Sequence, residues 1–148
     1  TYAVAVRSDV PVVAAVLSRV GDGTAPGEFA WSVSADAVRS VAGAALPGLS
    51  GVTATLHLIS SGGASAAEVV TVIQGTPRSR RVDLLPDRVA TVRLDDSTSV
   101  WVKPFDGSDE LRGTVLSSTG EGPARMLSSM PLEESAVTSP VSRAFPLP

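Results

Sequence analysis

The sequence predicts an all-β fold: an antiparallel Ig-like β-sandwich with at most one or two short helical turns. Three observations predict it. Turn signals built from Gly, Pro, Asp and Ser recur about every 8–14 residues, with no long helical pattern between them. The run from Val52 to Leu58 alternates strictly, with Val52, Ala54, Leu56 and Leu58 on one side and Thr53, Thr55 and His57 on the other, the period of a half-buried strand. Hydrophobic residues make up 43% of the chain but aromatic ones only 4%, so the core is built from small aliphatic and β-branched side chains, which suit strands. Parallel strands would require helical crossovers, for which there is no room.

The 148 residues suffice for one domain with a real core. There is no cysteine, which excludes disulfides, thiolate metal sites and cysteine nucleophiles. The net charge is −3 with no long charged run, which argues against nucleic acid as a partner. No apolar run reaches the roughly 20 residues that span a bilayer. The chain starts inside an apolar run, residues 2–6, without an initiator Met. It is read as a fragment of a longer protein, with any targeting segment outside it.

In chain order, residues 2–6 and 10–18 read as strands around an Arg7-Ser8-Asp9 turn, with Pro11 at a strand start or edge. Residues 20–28 are loop by composition, and residues 29–33 form a short strand. In residues 34–51, Val38, Val41, Ala42 and Ala45 have helical spacing, and Asp36 is a possible cap, which allows a short helical turn. The alternating strand comes next, then a Ser-Ser-Gly-Gly turn and a strand over 68–73 that is apolar on both faces. A basic turn over 75–79 leads to strands at 80–85 and 88–94. The stretch 99–119 reads as a hairpin, and 125–130 as a last strand. The expected organisation is a hairpin of a preceding repeat plus linker (1–28), the sandwich (29–130), and a proline-rich extended tail (131–148).

A weak internal repeat supports the first of those boundaries. Val16-Leu17-Ser18 aligns with Val115-Leu116-Ser117, and Gly21-Asp22-Gly23 with Gly120-Glu121-Gly122, at one offset. The opening stretch, 4–18, is therefore expected to form the same hairpin as 100–117.

Few residues bear on chemistry. His57 is the only histidine. On the polar side of its strand it reads as a solvent-facing side chain, and no Gly-x-Ser-x-Gly elbow accompanies it. Asp106, Asp109 and Glu110 crowd one turn without the spacing of a calcium loop, and read as a solvated turn. No metal site, cofactor or catalytic residue is expected. The candidate ligand-binding residues are Trp31 and Trp101, the two tryptophans, and Arg78, Arg80 and Arg81. The tryptophans could stack on sugars or lie in a protein contact. The arginines could meet an anionic polymer, or guard a sheet edge against aggregation.

The strand run around residues 54–60, 67–72 and 89–94, with the closing hairpin, the Pro11-Val-Val-Ala-Ala segment and the Phe29-Ala-Trp31 step, resembles the repeated β-domain of an actinobacterial family of exported proteins catalogued as domain of unknown function 5719. The likeness covers roughly residues 4–131. It implies export to the cell envelope, with attachment to a membrane only through an anchor outside the fragment, and brings no catalytic residues with it. The expected role is a non-enzymatic envelope module, structural or protein-interacting, whose partner is another envelope protein. The alternatives are a module that binds carbohydrate or cell-wall polysaccharide and, further off, a hydrolase accessory domain. Exposed aromatics on one flat face would favour the sugar binder.

Overall fold

The computed structural model describes residues 3–19, 28–48, 50–120 and 125–135. Its twelve strands are β1 (Ala15–Arg19), β2 (Phe29–Val33), β3 (Ala37–Val38), β4 (Ala42–Ala45), β5 (Val52–Ser60), β6 (Ser65–Ile73), β7 (Thr76–Leu84), β8 (Ala90–Arg93), β9 (Ser97–Pro104), β10 (Leu111–Thr119), β11 (Met126–Pro131) and β12 (Glu133–Glu134). Every pairing is antiparallel. One sheet has the order β11-β10-β5-β8, with β3 sharing the β11 side of β10. The second has the order β12-β4-β9-β6-β7, and β1 and β2 form a separate ribbon. This is the expected all-β sandwich. The described residues of 34–51 contain β3 and β4 and no helix, because Ala42 and Ala44 face the core at strand spacing.

The alternation read around His57 holds. Ala54, Leu56 and Leu58 are buried while His57 is only half-buried. Opposite them, Ala67 and Val69 of β6 and Val100 and Val102 of β9 are fully enclosed, and Leu111 and Val115 of β10 close the first sheet. Side chains this small let the two sheets approach at the roughly 10 Å typical of sandwiches.

The turn between β6 and β7 sits at Gln74-Gly75, both at positive φ (49° and 77°). Two successive left-handed residues form the tight turn whose twist matches the flanking strands. From Thr76 onward the expected basic turn over 75–79 is therefore strand. Pro77 is tolerated there because β7 is an edge strand whose outer N–H groups have no ladder partner.

Three further expectations are corrected. The stretch 99–119 is not a hairpin: β9 lies in the second sheet and β10 in the first. Both strands have a core-facing row, so they pack across the core, and residues 105–110 arch from one sheet to the other. The opening stretch is not a hairpin either. Residues 3–14 contain no strand, and β1 pairs with β2 instead, Leu17 opposite Trp31. Val16 to Ser18 thus lie in a ribbon strand and Val115 to Ser117 in a central one, so the sequence repeat is not a structural repeat. Residues 21–23 and 121–122 lie outside the described residues. Finally, the sandwich continues past residue 130. Leu132 is buried in the core, and Glu133 and Glu134 pair with β4.

Candidate functional site

The aromatic side chains fall on two separate surfaces. The first is the outer face of the second sheet. Val100 and Val102 point inward, so Trp101, Lys103 and Phe105 point out. Phe105 extends the ladder just past β9, its N–H donating to the Ala66 carbonyl at 3.0 Å. Trp101 is 39% and Phe105 41% exposed. In register beside Trp101 are Val70 on β6 and Gly43 on β4. A Cβ on Gly43 would lie 2.7 Å from the indole Cδ2 and closer still to Cε3. The indole therefore rests on the sheet over Gly43, in space only a glycine leaves free.

Beside the tryptophan runs a charged row. Glu68 sits in register between Lys103 and Arg81 and accepts the Ser79 hydroxyl. Arg81 donates to Asp83 at 2.8 Å, and its guanidinium carbon lies 5.0 Å from the centre of the Phe105 ring, a cation–π arrangement. The three candidate arginines do not act together. Arg81 faces outward with Ser79 and Asp83, whereas Arg78 and Arg80 share the core-side parity of Val82 and Leu84. Both are exposed, placed where β7 overhangs the sandwich. Inward-facing charge on an edge strand opposes pairing with another chain.

The second surface is the ribbon. Leu17, Phe29, Trp31 and Val33 lie on one side of it, each more than half exposed, while Ala30 is buried on the other. β2 runs alongside β11. The two candidate tryptophans thus belong to different surfaces.

The acidic turn is a clamp. The Asp109 carboxylate accepts the Gly63 N–H, the Asp109 N–H donates to the Ser65 hydroxyl at 2.9 Å, and the Ser108 hydroxyl donates to the Ala66 carbonyl at 2.9 Å. Glu110 pairs with Arg112, which also donates to the Ala35 carbonyl. Among the described residues no group of three or more His, Asp or Glu side chains is placed to hold a metal ion. His57 lies in register between Thr91 and Thr114. Burial of the ring lowers its pKa below the ordinary value.

Phe105, Lys103 and Glu68 were missed in the sequence, although the alternation Trp101-Lys103-Phe105 could have found two of them. Gly43 carries no such signal, since its role depends on a strand pairing with residue 101.

Fold and surfaces together define an antiparallel two-sheet module that displays aromatic side chains outside its core. A family model described as "Family of unknown function (DUF5719)" matches residues 1–99, and the chain belongs to that family. Comparison with curated proteins and with solved structures gives no match.

Proposed function

We propose that the chain is a non-enzymatic module of an exported, cell-envelope protein, and that it works by holding another envelope protein through the β1–β2 ribbon. The observation that carries this reading is the largely apolar face formed by Leu17, Phe29, Trp31 and Val33, with Arg19 at one end opposite Phe29. Contiguous exposed apolar area marks contact sites, and aromatic residues are enriched at the centres of protein interfaces. The envelope location rests on the chain's resemblance to a family of exported proteins. A carbohydrate-binding role is favoured by a separate observation, the Trp101 face of the second sheet.

The test uses the full-length protein in the cells that make it, with a photo-cross-linking residue in place of Leu17. Adducts are expected with one envelope protein. That protein, once identified and purified, should re-form the adduct with the purified chain, and Trp31→Glu should abolish it. No adduct, adducts with cytoplasmic proteins, or adducts unchanged by Trp31→Glu would overturn the proposal.

A further inference from the structure

We infer that the outer face of the second sheet binds a neutral, hydroxyl-rich polysaccharide, with the Trp101 indole as the stacking plane and the Lys103-Glu68-Arg81 row as the hydrogen-bonding edge. This surface is distinct from the ribbon, so either assignment can fail without the other.

Trp101 is laid on the backbone at Gly43 and flanked by Val70, which fixes the indole before any ligand arrives. A preorganised ring loses little conformational entropy on binding. One side of a sugar ring is a patch of C–H groups, and its rim is hydroxyls. The apolar side fits an indole plane, and the rim needs donors and acceptors beside it.

Lys103 and Arg81 supply donors, and Glu68 and Asp83 supply acceptors. A hydroxyl can meet either kind. Phe105 stands four residues from Trp101 along the extended chain, about 13 Å at the usual rise per residue, with the Arg81 guanidinium over its ring. The two aromatics therefore bracket the row along one straight line, the shape of a linear polymer and not of a pocket.

The two cations of the row face two anions, and Glu133 lies in register beyond Gly43. The face has no positive excess to attract a phosphate backbone or another polyanion. Nor does it match a stable protein interface, which covers about 800 Å² per partner around an apolar centre. Here two separated aromatic rings, Trp101 and Phe105, are bordered by charged side chains.

Affinity gel electrophoresis of the 148-residue chain tests the inference, with soluble neutral glucan, mannan and galactan in the gels and pectate as the anionic control. At least one neutral polysaccharide should retard the chain. Trp101→Ala should weaken that binding about tenfold or more. Gly43→Val should weaken it too, because its side chain lifts the ring, while Trp31→Ala should bind as the parent does. Circular dichroism checks that the variants fold. If Trp101→Ala does not fold, the surface variant Lys103→Ala with Glu68→Gln carries the test and should also lose binding. No retardation by any of the three neutral polymers, retardation by pectate alone, or full binding by Trp101→Ala would overturn the assignment.

Discussion

The Asp109 carboxylate accepts the backbone N–H of Gly63 and so ties the arch between β9 and β10 to the start of β6. A Cβ on Gly63 would collide with that carboxylate, so glycine and acid form one device. Asp109→Ala should cost about 1–2 kcal/mol, the range for loss of a hydrogen bond with a charged partner at a partly solvated site. Gly63→Ala should lose the same bond by displacing the acid. The double variant should therefore cost clearly less than the sum of the singles. Urea denaturation of the three variants measures this, and simple additivity would show that the two residues are not coupled.

Leu56 and His57 are neighbours with opposite fates. Leu56 is fully buried between the sheets, and His57 is on the outer side. Leu56→Ala should cost about 2–5 kcal/mol, the range for emptying a core site. His57→Ala should cost under about 1 kcal/mol, as at other sites outside the core. Equal losses in urea melts would mean that the register of β5 is wrong.

The half-burial of His57 also marks how far the sequence could be read. Period-two alternation at residues 52–58 identified β5 and its core side from the chain alone. It could not show how closely neighbouring strands pack around the outer side chains, so His57 is less exposed than expected. Local pattern also failed wherever pairing is set at a distance. Residues 100–117 read as a hairpin because two apolar strands flank a polar turn. Nothing local says whether the second strand returns beside the first or crosses to the facing sheet. Pro11 and the exposed valines before it read as strand, but among the described residues no strand pairs with residues 3–14. Of the candidate site, Trp101 was legible as an outward residue between two buried valines. Its support by Gly43 was not, because 58 residues separate the two positions.

The lowered pKa of His57 sets a pH dependence. Burial disfavours the charged ring in the folded chain, whereas the unfolded chain takes up its proton near the ordinary value of 6.5. Below that value the unfolded state binds more protons than the folded state. Stability should therefore fall as pH drops from about 6.5 toward the folded-state pKa, and this contribution should be flat above pH 6.5. Urea midpoints between about pH 5 and pH 8 should show a steeper fall for the parent than for His57→Gln, which keeps the polar group and cannot titrate. Identical profiles would place the ring in water.

Gly113 ties the chain beyond residue 130 to the core. It lies on β10 with the parity of Leu111 and Val115, facing the core. Its φ is not in the left-handed region, so backbone conformation does not require glycine here. Space does: a Cβ would lie 2.5 Å from Leu132 Cδ1 and 2.8 Å from Leu58 Cδ2. The Leu132 N–H donates to the Gly113 carbonyl at 3.0 Å, which holds the leucine over the gap. Gly113→Ala should therefore overpack the core and cost about 1–3 kcal/mol. Leu132→Ala should empty the same space and cost about 2–5 kcal/mol. Combined, the alanine at 113 partly fills what the leucine vacates, so the double variant should be more stable than the two losses summed. Urea denaturation of the four proteins decides it. If Gly113→Ala is neutral and Leu132→Ala costs nothing, then the chain beyond residue 130 is the external tail that its prolines predict. If the cycle closes as stated, Leu132 is core, and the fold needs the chain at least to that residue.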